Sequence, residues 1–378
     1  MQKIIKLLCE KKLKKVFIKH KQLLSIMIRS SEHILKHQTD SKSILLDKLF
    51  SDYKSDLQLY IDLLWDKILP LKKILSSKHL PSLNLKHSQY KQILYKQASE
   101  IIRSNIEKTS KPTIKNISIN IDSRLFNIQN DSKEFDEFVH LRLPYFEESK
   151  KRALFIRLPI RYHKQSLKFK DWNRKDTIKL KFVNNHYFVI FSYEKQEPIK
   201  KEIGTSLGID QGYKKLIVTS DGQFIGKEFE KLYEDISNKK QGSRNFKDLL
   251  VERDKKINES VNKLNLKDVR EVVIENLKDL KNGKKCFKKS FINKYQRWSY
   301  QKVTNKLERL CEENGILLTK VDPSYTSQTC SKCGSIHREN RVLEFFKCIE
   351  CGYETDADLN ASVNILHRGV YNPSTNLK

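Results

Sequence analysis

The sequence lacks any long apolar run. No stretch approaches the roughly 20 uncharged apolar residues that a membrane-spanning helix needs, so a membrane-embedded class is excluded. The first apolar run, residues 4–8, is broken by Lys6 and followed by four lysines within residues 11–15. A secretory signal needs a longer uninterrupted apolar core. We therefore expect a cytoplasmic protein.

Acidic residues are also scarce. The 378 residues include 74 Lys and Arg against 46 Asp and Glu, which gives a net charge of +28. Such a surplus opposes compaction unless a polyanion neutralises it. Nucleic acid is the first candidate partner, and an anionic membrane surface is the second. A coding bias towards lysine would inflate the basic count, but alone it does not explain the shortage of acids.

The composition is that of a folded protein, with 38% hydrophobic and 10% aromatic residues, and its length predicts two or three domains. Residues 1–111 are basic, and their apolar residues recur at three- and four-residue spacing, which predicts helices. Residues 112–200 change to short, alternating apolar runs, with a hairpin signal at Asn184 and Asn185. This pattern predicts antiparallel strands that form a small barrel.

A third sequence pattern begins at residue 203. Predicted strands and helices alternate from there on, which predicts a mixed α/β layer. Two predicted strands end on an acid, at Asp210 and Glu275, and a hairpin signal lies at 221–222 between them. A helix is predicted to end at Gly315, and a last amphipathic helix to begin at Asp358.

The seven cysteines are an odd number, which argues against a disulfide framework. Four of them form two C-x-x-C pairs separated by fourteen residues, and a glycine follows each pair: Cys330, Cys333, Cys348 and Cys351. Thiolates at this spacing can converge tetrahedrally on Zn²⁺, and four protein ligands leave no open position for catalysis. A pair of redox motifs, or chance, is the alternative. We predict a structural zinc site.

Three dispersed acids form the second candidate site: Asp210, Glu275 and Asp358. Carboxylates at strand ends, brought together in a sheet, could hold two Mg²⁺ or Mn²⁺ ions about 3.5–4 Å apart for phosphodiester hydrolysis. Taken singly, acids of this kind are more often ordinary surface or capping residues than metal ligands, and Asp358 could simply cap its helix.

Three strings support the grouping of the acids. Residues 208–214, 273–277 and 356–365 resemble the three RuvC-type motifs of the TnpB family, in the same order. Residues 321–334 and 348–353, between the second and third strings, are similar to that family's last strand and zinc ribbon. Asp358, not Asp356, matches the family's third acid, because it lies two residues before the Asn of the Asn-Ala string. The resemblance covers about residues 203–369. The first half matches the family only in its composition and in the order of its helical and β-rich segments, without a shared motif.

The resemblance implies an RNA-guided, Mg²⁺- or Mn²⁺-dependent DNA endonuclease of a mobile element, with guide RNA and target DNA as partners. It implies an α+β, mixed multidomain fold: an N-terminal helical bundle and a small antiparallel β-barrel, then an RNase H-like (RuvC) α/β nuclease with a zinc-ribbon insertion. The expected boundaries are 1–111 for recognition, 112–200 for a wedge-like barrel, 203–325 and 355–378 for the nuclease, and 326–354 for the ribbon. Asp210, Glu275 and Asp358 would be the catalytic, metal-binding acids.

Other functions remain open at this point. A nuclease-silent, RNA-guided regulator would have lost one of the acids, whereas all three are present. A compact type V CRISPR effector would share the same motifs, and a transposase or its accessory protein is a further alternative. The basic, aromatic stretch 281–298 follows Glu275, and four of its lysines are candidate phosphate contacts or a solvated face: Lys284, Lys285, Lys288 and Lys289.

Overall fold

The structure is a computed structural model, and it describes residues 25–65, 84–108, 110–147, 152–277 and 299–371. The chain divides into two compact units. The described residues from 26 to 195 form the N-terminal unit, and those from 196 to 277 and from 299 to 371 belong to the C-terminal unit. Among the described residues, no helix is both long and apolar enough to cross a membrane.

The N-terminal unit contains two helices and seven strands in its described part. The helices are α1 (Asp40–Trp65) and α2 (Ser88–Ser104). The strands are β1 (Ile26–Ile34), β2 (Ser118–Asp122), β3 (Phe126–Gln129), β4 (Glu137–Glu147), β5 (Arg152–Ile160), β6 (Asn173–Val183) and β7 (His186–Gln196). One continuous apolar core packs both helices against the strands, so the helical and β segments fold as one body.

The strands of this unit lie in two antiparallel sheets. One has the order β1-β7-β6-β2 and the other the order β3-β4-β5. Within the described residues these sheets do not close into a barrel, so the prediction of a closed barrel is wrong. After β2, Asp122 accepts a hydrogen bond from the backbone N–H of Arg124 in a 3₁₀ turn, and β3 then pairs with β4 instead of β2, so the chain starts a second sheet.

Strand β1 corrects the helical prediction for the start of the chain. The alternation of buried Met27, Ser31 and His33 with exposed neighbours has the period of a strand. The helices α1 and α2 confirm the helical prediction for the segments that follow. The hairpin prediction is also confirmed, because Asn184 and Asn185 both have positive φ between β6 and β7.

The C-terminal unit is a sheet flanked by helices, with a small ribbon inserted before the last helix. Its main strands are β8 (Thr205–Asp210), β9 (Ile217–Thr219), β10 (Phe224–Ile225), β11 (Val269–Glu275) and β12 (Leu317–Val321). Its helices are α3 (Phe229–Ser237), α4 (Arg244–Val261), α5 (Tyr300–Glu313) and α6 (Ala357–Tyr371). The ribbon strands are β13 (Arg341–Val342), β14 (Phe345–Lys347) and β15 (Glu354–Asp356).

The five main strands have the order β10-β9-β8-β11-β12. Strands β8, β11 and β12 run parallel, whereas β9 and β10 are antiparallel to their neighbours. The predicted strand, hairpin and helix positions are confirmed, including a positive φ at Gly222 and Gly315. Helix α3 was not anticipated, although its buried face anchors the sheet through Phe229, Leu232 and Tyr233. The parallel arrangement places the carboxyl ends of β8 and β11 side by side.

Candidate active site and metal centre

Two of the three predicted acids are neighbours in the sheet. Ile209 of β8 is in register with Ile274 of β11, so Asp210 and Glu275 follow at adjacent positions where both parallel strands end. Neighbouring strands lie about 4.8 Å apart, and residues in register on parallel strands point to the same face. The sheet therefore presents two carboxyl groups at one edge, each on a half-buried residue that follows a fully buried isoleucine.

Helix α6 brings the third acid to the same edge. A Cβ atom on Gly208 would lie 2.1 Å from the backbone oxygen of Ser362, and one on Gly369 would lie 2.6 Å from a methyl carbon of Val273. The helix can therefore lie directly on β8 and β11 only because both positions are glycine. Asp358 begins the same helix, one turn before Ser362, so this close packing carries its carboxylate towards Asp210.

The electrostatics show that Glu275 and Asp358 both act on Asp210. Burial, followed by the charges of Glu275 and Asp358, raises the pKa of Asp210 well above its usual range. Burial also raises the pKa of Glu275, against the opposing effects of the Thr326 hydroxyl, which donates to its Oε1, and of nearby arginine charge. Like charges held together in a partly buried place favour neutralisation by protons or by cations.

Protein cations already bind part of this charge. Asp358 is 7% exposed; its Oδ1 accepts from Arg341 Nη2 at 2.9 Å and its Oδ2 lies 3.3 Å from Lys215 Nζ. Lys215 Nζ also lies 2.5 Å from Asp356 Oδ2. Sequence reasoning missed both cations. Two sequence positions could have pointed to these cations. Lys215 lies five residues after Asp210, and Arg341 lies between the two cysteine pairs.

The helix-capping alternative for Asp358 can be examined directly. Asp356 Oδ1 accepts from the backbone N–H groups of Asp358 and Leu359, at 3.1 and 3.2 Å. Asp356 thus caps the helix, and this leaves the Asp358 carboxylate to face the other acids. The two neighbouring aspartates therefore have different environments despite being two residues apart.

The three acids are near one another but not tightly clustered. Among the described residues, the four cysteines form the group of His, Cys, Asp or Glu side chains whose ligand atoms all lie within 4.8 Å of one another, and the acids are more widely spread. Two ions about 3.5–4 Å apart, each about 2.1 Å from its ligands, can join outer carboxylates up to roughly 8 Å apart.

The cysteine pairs form two matching turns. The backbone N–H of Gly334 donates to the Cys330 carbonyl, and that of Gly352 donates to the Cys348 carbonyl, both at 2.9 Å. Both glycines have positive φ, 79° and 69°, which an L-residue rarely adopts. Backbone N–H groups of Cys351 and Glu350 lower the pKa of the Cys348 thiol to about 7. Such turns present thiolates as ligands.

The sulfur positions fit a tetrahedral metal ion. The Sγ atoms of Cys330 and Cys351 are 3.7 Å apart, and those of Cys333 and Cys348 are 3.6 Å apart. Four sulfurs at 2.3 Å from one centre would have an edge of about 3.8 Å. The prediction that these four residues lie together and can hold a metal ion is confirmed.

The ribbon is fastened to helix α6 by asparagine side chains. Asn360 Oδ1 accepts from the backbone N–H of Ser331 at 2.9 Å, and its Nδ2 donates to the Thr329 carbonyl at 2.8 Å. Asn364 Nδ2 donates to the carbonyls of Thr326 and Thr329. The cysteine turn that starts at Cys330 is therefore hydrogen-bonded to the helix that carries Asp358. The four predicted phosphate-contact lysines, Lys284, Lys285, Lys288 and Lys289, lie outside the described residues.

Residues 300–365 match the family described as Cas12f1-like, TNB domain. Over 71 residues the chain is 49% identical to a CRISPR-associated endodeoxyribonuclease Cas12f1 of Sulfoacidibacillus thermotolerans, which covers 18% of this chain and 17% of that protein. A TnpB-like protein of Aquifex aeolicus (strain VF5) is 38% identical over 96 residues, 25% of this chain and 31% of that protein. In both cases the match spans less than a third of the relative's length.

Solved structures extend the likeness to the whole fold. The chain of a Cas12f1-sgRNA-target DNA complex superposes with a TM-score of 0.52 and 15% identity, covering 90% of this chain and 98% of that one. A mini-RNA-guided endonuclease, CRISPR-Cas_phi3, gives a TM-score of 0.52 at 12% identity, with 91% and 92% coverage. These likenesses show a shared mixed α/β fold. The predicted resemblance is confirmed: this chain is similar to the TnpB-like and Cas12f1 proteins, and the matched segment carries the cysteine ribbon and Asp358.

Proposed function

We propose that this protein is an RNA-guided, metal-dependent DNA endonuclease of the TnpB type. Asp210, Glu275 and Asp358 are its catalytic acids, and Cys330, Cys333, Cys348 and Cys351 hold a structural Zn²⁺. The observation that carries the proposal is the register of β8 with β11, which puts Asp210 and Glu275 at neighbouring strand ends, where the charge of Asp358 from α6 also acts on Asp210. The predicted cytoplasmic location belongs to the same proposal.

The sheet topology supports a RuvC-type nuclease. Its order β10-β9-β8-β11-β12 joins three antiparallel strands to two further strands that run parallel to β8, a mixed sheet that agrees with the RNase H-like nuclease implied by the motif resemblance. Asp210 and Glu275 lie at the carboxyl ends of the parallel strands, where ligands bind in open α/β sheets. The predicted boundaries of the recognition, wedge, nuclease and ribbon segments are part of this proposal.

The chain's own residues prepare the site for metal ions. Burial is the main cause of the raised pKa values of Asp210 and Glu275, and the charges of Glu275 and Asp358 add to the rise at Asp210. Mg²⁺ or Mn²⁺ held there supplies the positive charge that lowers the pKa of an attacking water and stabilises the leaving oxygen. Thr326 fixes one oxygen of Glu275, and Arg341 fixes one oxygen of Asp358, so the carboxylates keep their orientation.

Nucleic-acid binding is supported by charge and by the relatives. A net charge of +28 favours a polyanionic partner. In the N-terminal unit a cavity of about 720 Å³ is lined by Lys179, Lys181 and Asn184, among others. One matched relative is named a putative RNA-guided DNA endonuclease, InsQ of Escherichia coli (strain K12), and one structural neighbour is titled as a complex with sgRNA and target DNA. We propose guide RNA and target DNA as the partners of this chain.

The test is cleavage of a plasmid library, randomised beside a fixed target, by the protein purified with RNA transcribed from the DNA flanking its gene. Asp210→Ala is expected to abolish cutting while the RNA still copurifies, because the substitution removes a metal ligand but not the basic surface. Asp248→Ala, an exposed acid on α4, is the matched control. Equal cutting by wild type and Asp210→Ala would refute the site.

A further inference from the structure

Lys215 is a buried lysine in the loop between β8 and β9. Its residue is 8% exposed, and its Nζ lies 5.4 Å from the centre of the Phe224 ring. The ammonium group bridges two carboxylates, at 2.5 Å from Asp356 Oδ2 and 3.3 Å from Asp358 Oδ2. A lysine is rarely buried without such partners. The adjacent Lys214, in contrast, is half exposed and pairs with Glu230 and Glu344 on the surface.

Both carboxylate oxygens of Asp356 have hydrogen-bond partners in this arrangement. Its Oδ1 accepts the two backbone N–H groups that begin α6, and its Oδ2 lies against Lys215. Both oxygens of Asp356 therefore already have a partner in the protein. Asp358 is held more loosely by Lys215, at 3.3 Å, and its other oxygen is bound by Arg341.

Two aspartates separated by one residue at a helix start offer a divalent cation two competing ligand sets. Hard cations take any nearby carboxylate oxygen, so sequence position alone does not select Asp358. A fixed ammonium group against Asp356 repels the cation from that carboxylate and neutralises its charge. The short contact to Asp356 and the longer contact to Asp358 favour exchange of lysine for metal at Asp358.

We propose that Lys215 is a positioning residue that excludes Asp356 from the metal site and so directs the catalytic cations to Asp358. The inference rests on the proposed nuclease function. It goes beyond that function because it assigns a role to a side chain that touches neither substrate nor metal. In its absence, Asp356 would bind the cation in a geometry that does not meet Asp210 and Glu275.

The experiment compares Lys215→Met, which keeps the length of the side chain and removes the charge, with Lys214→Met as the matched control. Target cleavage by the purified RNA complex is expected to fall about 10–100-fold for Lys215→Met, the range found when groups behind a metal ligand are removed. Binding of Mn²⁺, measured by the loss of the free-ion electron paramagnetic resonance signal, is expected to be as tight as in wild type or tighter. Lys214→Met is expected to match wild type in both measurements.

The decisive variant is the double substitution Lys215→Met with Asp356→Asn. Asparagine still caps a helix but does not compete as an anionic ligand, so the double variant is expected to recover cleavage to within a few-fold of wild type. Cleavage that stays low in the double variant, or Mn²⁺ binding that is lost in Lys215→Met, would assign Lys215 a purely structural role and overturn the proposal. Undiminished cleavage by Lys215→Met would overturn it as well.

Two further measurements separate the possible failures. If thermal melting shows that Lys215→Met is unfolded, Lys215→Gln replaces it, because glutamine can still donate to Asp356 without carrying charge; the same loss and the same recovery with Asp356→Asn are expected. The Asp210→Ala variant tests the proposed function independently. If Asp210→Ala is inactive and Lys215→Met is fully active, the nuclease proposal stands and only the role of Lys215 fails.

Discussion

The two candidate metal sites of the C-terminal unit are built from opposite kinds of contact. The cysteine site comes from 22 consecutive residues, Cys330 to Cys351, whose turns fix every sulfur within 4.8 Å of the others. The acid site comes from residues 148 positions apart in the chain, Asp210 to Asp358, and its carboxyl groups are spread more widely. A compact thiolate cage suits one permanent ion, whereas separated carboxylates with protein counter-ions suit cations that act on a substrate.

The two sites are nevertheless connected. Asn360 binds the turn that contains Cys330, and Arg341 of the ribbon binds Asp358. The ribbon therefore helps to hold the third acid, although its own metal site has no open position for chemistry. The following predictions test how far the sites differ and how strongly they are coupled.

The largest effect is expected at the acid site. Glu275→Gln should lower cleavage by at least about 10³-fold, because it removes an anionic ligand worth several kcal/mol of transition-state stabilisation. Glu271→Gln, on the same strand, should stay within about threefold of wild type, since Glu271 bonds Ser206 and Thr319 away from the acids. Gel-based cleavage rates measure both. Similar losses of cleavage in the two variants would show that cleavage depends on the integrity of strand β11 and not on the Glu275 carboxylate.

Loss of the cysteine site should have an intermediate effect on cleavage. Cys330→Ser is expected to abolish the binding of about one Zn²⁺ per chain and to reduce cleavage about 10–100-fold through α6. Metal content by plasma mass spectrometry and cleavage rates are the measurements. The control is Cys311→Ala, because Cys311 is buried outside the cysteine cluster. This variant should still bind about one Zn²⁺ per chain at the cluster. If Cys330→Ser loses zinc without losing activity, the two sites are independent.

The close approach of α6 to β8 should be sensitive to one methyl group. Gly208→Ala would place a Cβ 2.1 Å from the Ser362 oxygen, so we expect a loss of about 1–3 kcal/mol in the free energy of unfolding, together with weaker cleavage. Gly242→Ala, at an open turn where φ is +85°, should cost about 1 kcal/mol or less and leave cleavage intact. Urea unfolding distinguishes them. An unaffected Gly208→Ala would show that the helix can move away from the strand.

The smallest effect concerns charge repulsion in the metal-free protein. Because the folded state raises the pKa of Asp210, it binds the proton more tightly than the unfolded chain does. The contribution of Asp210 to the free energy of unfolding should therefore be most favourable below the ordinary carboxyl pKa and should be lost as the pH rises through the raised value. Asp210→Asn should remove this slope and stabilise the metal-free protein by on the order of 1 kcal/mol at neutral pH.

The same variant should lose the stabilisation that Mg²⁺ gives to the wild-type protein, and Asp248→Asn serves as the control. Thermal melting with and without Mg²⁺ at several pH values is the measurement. Destabilisation of the metal-free protein by Asp210→Asn would contradict the assigned repulsion.

Much of the C-terminal unit could be predicted from sequence because its signals are local. The cysteine spacing, the hairpin at Gly222 and the helix end at Gly315 each depend on a few neighbouring residues. The grouping of the three acids came from motif resemblance, and the register of Ile209 with Ile274 supplies its physical basis.

Other features could not be predicted because they depend on long-range packing. The pairing of Lys215 with Asp356 joins residues 141 positions apart, and a lysine in a basic chain carries no sign of burial. Strand β1 was mistaken for helix because its alternation is short and lies in a lysine-rich region. Closure of the N-terminal strands into a barrel could not be judged from the strand pattern, since the pattern does not specify which strands are edges.

The most direct test of the central claim is anomalous diffraction from crystals of the protein soaked in Mn²⁺. We expect two peaks about 3.5–4 Å apart, bounded by the carboxylates of Asp210, Glu275 and Asp358, with Asp356 outside their coordination. Peaks elsewhere, or no peak between these three side chains at saturating Mn²⁺, would contradict the assignment of this sheet edge as the catalytic site.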